Sequence, residues 1–177
     1  MISIVEKNLF DSKANFLVHQ VNCQGVMGSG IAKQVVERYP FVDKEYRRYV
    51  FNCQKKNKKM LGTVQYVPSE VWAIGLVDTL KNDRIEKYDK DYQYIVNLFG
   101  QENYGTGIQT DLTELKNGFF DIRDKALSVG ATIAIPYRIG SCRGGADWND
   151  VYNIIKEVFE NSGVDIEICK YVTEQSV

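Results

Sequence analysis

The sequence predicts an α/β fold with a largely parallel sheet sandwiched between helices. Three observations carry this. Apolar strand-like runs alternate with helix-like periodicity along the whole chain. Residues 94–99, Tyr-Ile-Val-Asn-Leu-Phe, are apolar enough for a strand covered on both faces. Two segments share one grammar: apolar strand, glycine-rich turn, helix start.

The elements follow in order. Residues 2–6 alternate weakly and give a first strand, and residues 8–11 turn the chain. Residues 16–21 form a second strand. A helix is expected from about Ser29 to Tyr39, with Ile31, Val35 and Tyr39 in one stripe and Pro40 ending it. Residues 41–52 read as a second helix and the lysine run 55–59 as a loop. Strands are expected at 62–68 and 71–76, paired through residues 68–70. The charged segment 81–91 reads as an exposed loop or short helix and gives no function. A strand over 92–99 leads into a second glycine-bearing loop, 100–107. Leu112, Leu115, Phe119, Ile122, Ala126 and Val129 mark the clearest helix, opened by Asp111 and Glu114 as a capping box. A short strand over 132–136 enters the loop 137–145. The last helix opens near Asp147 and is stopped by Gly163, and residues 164–172 form the final strand. A single domain is expected over residues 1–172, with 173–177 a frayed tail.

Composition narrows the function classes. The chain has 177 residues, 44% hydrophobic and 25% charged, with a net charge of −1. That argues against disorder and against general nucleic-acid binding, which usually needs a basic face. No apolar run approaches a membrane span and no signal peptide is evident. The four cysteines form no C-x-x-C pair and there is one histidine, so no metal site is expected. Scattered free thiols fit the cytoplasm.

The chain is organised around residues 16–33. Three glycines, Gly25, Gly28 and Gly30, fall within six residues between a strand and a helix. Such a turn brings backbone N–H groups and a helix dipole to a point, which suits phosphate. The alternative is a tight connection without a ligand. It is not a P-loop, because Ile31 and Ala32 follow Gly30 where Lys and Ser/Thr are required. It is not a dinucleotide fingerprint, because Lys33 stands where the third glycine belongs. The loop of Gly140, Ser141, Cys142, Arg143 and Gly144 repeats the pattern. Two anion-accepting loops on one sheet edge suit a diphosphate. His19 is a candidate acid or base, or a strand histidine satisfied in the core. Asn22 either reads a sugar hydroxyl or closes the turn with its own side chain. Asp111 and Asp147 read as N-caps. Cys23 and Cys142 are candidate nucleophiles, with no Cys-His order to support them.

The run Val21-Asn22-Cys23-Gln24-Gly25-Val26-Met27-Gly28-Ser29-Gly30-Ile31-Ala32 resembles the macrodomain family of ADP-ribose-binding modules. So do Ile95-Val96-Asn97-Leu98-Phe99, Ile135-Pro136, Ile139-Gly140 and Gly144-Gly145-Ala146-Asp147-Trp148, in the family's order. The resemblance implies a three-layer α/β/α sandwich with a mixed, largely parallel six-stranded sheet. It implies ADP-ribose or ADP-ribose-1''-phosphate as ligand, with ADP-ribosylated macromolecules as further partners and no cofactor. Its branch is that of ADP-ribose-1''-phosphate phosphatases and of enzymes removing ADP-ribose from carboxylates or DNA. Gly28, Ser29, Gly30 and Ile31 would line the first diphosphate loop, and residues 140–144 the second. Asn22 would face the distal ribose, and Gln20 and Met27 would join the binding wall. Asn8 stands where the family places an adenine-reading aspartate. Gln101 stands where one branch carries a lysine nucleophile, which an amide cannot replace. Gly144 stands where another group carries a catalytic aspartate. His19 matches a histidine of the phosphatase branch. The implied function is hydrolysis of ADP-ribose-1''-phosphate or a related derivative without lysine chemistry. The alternative is a non-catalytic reader of ADP-ribose.

Overall fold

The computed structural model describes residues 1–70 and 92–171. The strand expected at 71–76, the charged segment 81–91 and the tail 173–177 lie outside the described residues. In chain order the elements are β1 (Ile2–Val5), a 3-10 turn (Leu9–Asp11), β2 (Phe16–Asn22), α1 (Gly30–Arg38) and α2 (Pro40–Lys55). Then come β3 (Val64–Pro68), β4 (Tyr94–Gln101), α3 (Leu112–Val129), β5 (Ile133–Pro136), α4 (Trp148–Phe159) and β6 (Ile166–Cys169).

The strands form one six-stranded sheet in the order β1-β6-β5-β2-β4-β3. Every neighbouring pair is parallel except β3 with β4. The sheet is therefore mixed and largely parallel, as expected. Two helices cover each face. Along β2, Phe16 and Val18 join the core beneath α3 and α4, while Leu17 and Val21 join the core beneath α1 and α2. Both faces of β2 and β4 are buried, so these strands read as unbroken apolar runs rather than alternating ones. Phe119 of α3 meets Phe159 of α4 edge-on at 5.8 Å. Truncating such a ring costs about 3–5 kcal/mol.

Several boundaries differ from the sequence reading. Pro40 does end α1, but it also opens α2 as its first residue. A proline lacks only an N–H that has no intrahelical partner there. α4 ends at Phe159, so Gly163 lies beyond the helix rather than stopping it. β6 is only four residues long. Residues 9–11 wind into a 3-10 turn capped by Asn8, whose side chain accepts from the Phe10 N–H. The Asp111 cap is as expected: its side chain accepts from the Glu114 N–H at 3.0 Å.

Because β2, β4, β5 and β6 run parallel, Asn22, Gln101, Pro136 and Cys169 end at one edge of the sheet. Both glycine loops rise from that edge, where ligands bind in open α/β sheets.

Candidate functional site

A cleft of about 920 Å³ opens along this edge. One wall carries Gly28, Ser29, Gly30 and Ile31, and the other Gly140, Cys142, Arg143 and Gly144. The two walls nearly touch: a Cβ placed on Gly30 would lie 3.6 Å from Arg143 Cγ. Asn8 follows β1 and Gln101 ends β4, so the strand order sets them at opposite ends of the cleft. Its charged lining residues are Arg138, Arg143 and Lys170, and no Asp or Glu lines it among the described residues. Neither arginine has an ion-pair partner among the described residues. In a chain of net charge −1 this is a local excess of positive charge that favours an anion.

The first loop is shaped by Asn22. Its Oδ1 accepts from the N–H groups of Gln24 (2.9 Å) and Val26 (3.3 Å) and from the Tyr46 hydroxyl (3.0 Å). Its Nδ2 donates to the Val26 carbonyl at 2.7 Å. Tyr46, fully buried in α2, shares that one hydroxyl proton with the Asn22 carbonyl, the nearer acceptor at 2.6 Å. The loop thus leans on the core, and Gly25 makes the bend at φ 76°. Asn22 closes the turn with its own side chain, the more local of its two sequence readings. Beyond the bend, α1 starts without a side-chain cap, because Ser29 makes no capping bond. By contrast, Asp111 and Asp147 cap α3 and α4. The free N–H groups and positive dipole end of α1 are left facing the cleft.

The second loop is locked from below. Gln109 and Thr110 donate their N–H groups to the Gly144 carbonyl at 2.8 and 3.0 Å. Thr110 Oγ1 donates to the Gly140 carbonyl at 2.8 Å and accepts from Gln20 Nε2 at 2.7 Å. Gln20 Nε2 also donates to Gln101 Oε1 at 2.8 Å, and Gln101 Nε2 to the Asn103 carbonyl at 2.6 Å. Gly144 has no room for a side chain: a Cβ there would overlap Thr110 Oγ1 and the Gly140 carbonyl. Gln20 and Gln101 therefore act as props for the loop, their amides mostly engaged with protein.

His19 lies on the other face of β2, between Leu17 and Val21, and is 1% exposed. Its Nε2 donates to Asn97 Oδ1 at 2.6 Å. Asn97 Nδ2 donates to Gln65 Oε1 at 2.9 Å, and Gln65 Nε2 to the Glu45 carbonyl at 3.3 Å. Register sets this line, since His19 pairs with Asn97 and Asn97 with Gln65 across three strands. Burial pushes the imidazole down to about 4, with the Asn97 hydrogen bond opposing more weakly. At neutral pH His19 is uncharged, so it offers no imidazolium as a general acid.

The remaining expected residues divide. Asn8 lines the cleft, but its carbonyl oxygen is already used by Phe10 N–H. Met27 and Ser141 do not line it. Met27 is packed in the core beneath α1 and α2, because the bend at Gly25 turns it inward. Ser141 is buried, and its hydroxyl has no partner among the described residues. Cys23 is buried and its thiol pushed up to about 12 by desolvation and by Glu102, which removes it as a nucleophile. Cys142 lies exposed on the second loop. Sequence reasoning missed Thr110, Tyr46, Asn97 and Gln65. Asn97 and Gln65 did leave a signal, as lone amides inside apolar strands. Tyr46 and Thr110 left none, since their partners come from distant segments. Among the described residues no group of three His, Cys, Asp or Glu could hold a metal, and no helix is long and apolar enough to cross a membrane.

No family model matches the chain. An Aspergillus clavatus protein named ADP-ribose 1''-phosphate phosphatase is 25% identical over 192 residues, covering 94% of this chain and 92% of that one. A Saccharomyces cerevisiae protein of the same name is 39% identical over 70 residues, a match that spans only 38% of either protein's length. Among solved structures, the macrodomain of Mycobacterium tuberculosis DarG superposes with a TM-score of 0.71 at 22% identity, covering 98% of this chain and 99% of that one. Thermosipho africanus DarTG in complex with ADP-ribose gives 0.70 at 18% identity, covering 99% of this chain but 43% of that one. With its sheet order, strand-edge cleft and two glycine loops, the chain has the fold of the macrodomains and is similar along its length to a protein named ADP-ribose 1''-phosphate phosphatase.

Proposed function

We propose that the protein binds ADP-ribose in the cleft and hydrolyses ADP-ribose-1''-phosphate or a related ADP-ribosyl derivative. The observation that carries this is the cleft's charge: Arg138, Arg143 and Lys170, with no lining carboxylate among the described residues, around the uncapped start of α1. A diphosphate spanning two facing anion loops satisfies that arrangement. The loops would hold the substrate and fix its orientation, which supplies a large part of many enzymes' effect. Asn8 would serve the adenine end through its amide nitrogen, and the Gln101 end of the cleft would take the distal ribose. Relatives named ADP-ribose 1''-phosphate phosphatase and a neighbour holding ADP-ribose support the ligand class. Four cysteines without a disulfide suit a reducing compartment, and the cytoplasm is the location proposed on that ground.

A second reading is favoured by a specific observation. Among the described residues no carboxylate lines the cleft, and His19 is neutral and buried, so acid–base groups are scarce there. The protein would then be a reader of ADP-ribose or of ADP-ribosylated macromolecules. Incubation with ADP-ribose-1''-phosphate and, separately, with ADP-ribosylated protein, followed by mass spectrometry, decides between them. Release of phosphate or of free ADP-ribose supports the hydrolase. Intact substrate with measurable binding supports the reader.

A further inference from the structure

The line of buried amides leading to His19 has a direction. The Glu45 carbonyl can only accept, so Gln65 must turn Nε2 toward it and Oε1 toward Asn97. Asn97 must then give Nδ2 to Gln65 and Oδ1 to His19. His19 is left one choice: its proton sits on Nε2. Asn97 is 0% and Gln65 6% exposed, so water does not compete along the line. The other ring nitrogen, Nδ1, carries a bare lone pair and is buried without a partner among the described residues. Buried polar atoms left unmatched are rare and usually have a reason.

We propose that the Glu45 carbonyl, Gln65 and Asn97 form a positioning device that holds His19 as the Nε2–H tautomer, keeping Nδ1 free to accept a hydrogen bond from a hydroxyl of the bound ligand. The inference rests on the reading of the cleft as an ADP-ribosyl site, whose lining includes His19. A neutral acceptor calls for a donor. Diphosphate oxygens at neutral pH offer none, and ribose hydroxyls do. The sheet order selects which ribose. His19 stands on β2 beside β4, three strands from β1 and the Asn8 end. The hydroxyl therefore belongs to the ribose remote from adenine. Gln65 and Asn97 are positioning residues in this scheme, since they act only through the imidazole.

The chain's single histidine makes the test direct, because a long-range ¹H–¹⁵N spectrum contains one imidazole. The free protein should show a protonated Nε2 and an unprotonated Nδ1. Saturating ADP-ribose should move the Nδ1 signal toward that of a hydrogen-bonded nitrogen while Nε2 holds its place. AMP, which lacks the second ribose, should leave Nδ1 unmoved. An Nδ1–H tautomer in the free protein overturns the proposal. So does an unmoved Nδ1 when the backbone amides of Gly28 and Gly144 report ADP-ribose bound; His19 is then only a core residue. If those amides stay still at saturating ligand, the cleft reading itself has failed and the inference falls with it. Gln65→Met cuts the line at its root with little change of volume. It should narrow the separation between the two ring ¹⁵N signals as the tautomers mix. An unchanged separation in the folded variant overturns the positioning role, and the measurements on the unaltered chain stand whether or not the variant folds.

Discussion

His19 shows how a single residue's chemistry is decided by its neighbours. Its ordinary value of 6.5 falls to about 4 because burial penalises the imidazolium more than Asn97 can compensate. The unfolded chain takes up a proton near pH 6.5, whereas the folded chain resists until about pH 4. The stability from keeping His19 neutral is thus complete above pH 6.5 and lost as pH falls toward 4. Its size is about 3 kcal/mol, at about 1.4 kcal/mol per unit. His19→Gln keeps a donor for Asn97 and removes the titration. Urea unfolding between pH 7 and 4 should therefore show a flatter acid decline in this variant than in the unaltered protein. Carboxylates contribute equally to both curves and cancel in the comparison. Parallel declines would mean that His19 titrates normally in the fold.

At the scale of elements, the second loop is held by a side chain that no local pattern announces. Thr110 sits between the end of β4 and α3, yet it bonds to Gly140 and to Gln20. Thr110→Val removes both hydrogen bonds with almost no change of shape. The Gly140 carbonyl keeps the Ala146 N–H at 3.2 Å, so the cost is that of lost hydrogen bonds without an orphaned group, about 0.5–1.5 kcal/mol each. Urea unfolding should report that loss, and calorimetry should show weaker ADP-ribose binding because the Gly140–Gly144 wall loosens. Undiminished stability would show the lock to be incidental. The contrast with α3 explains what the sequence made legible. The Asp111 cap and the Leu115, Phe119 and Ile122 stripe are local patterns, so they could be read directly. The dual role of Pro40 is also local, but it was half read, because a proline stops one helix and starts another by the same missing N–H. The sequence around Asn22 admits two roles, and the partner that ties its side chain to the core, Tyr46, lies 24 residues away on α2. Gln20 and His19 differ by one position and face opposite layers. Alternation foretold that division, but the sequence did not say which side each would take.

For the whole molecule, the fold brings the glycines of two remote segments to one edge of a parallel sheet and concentrates cations there, despite a net charge of −1. That this edge takes a diphosphate bearing two riboses is checked by calorimetry with ADP-ribose and AMP, on the unaltered protein and on Gly30→Glu. Gly30 has φ 57°, so the substitution costs about 1–2 kcal/mol in strain, which a folded domain of this size tolerates. The new side chain starts 3.6 Å from Arg143 Cγ and places a carboxylate in the diphosphate seat. ADP-ribose should bind the unaltered protein more tightly than AMP, which has one phosphate and lacks the second ribose. Gly30→Glu should remain folded by circular dichroism and lose ADP-ribose binding. Equal affinity for the two ligands, or full ADP-ribose affinity in the folded variant, would contradict the account.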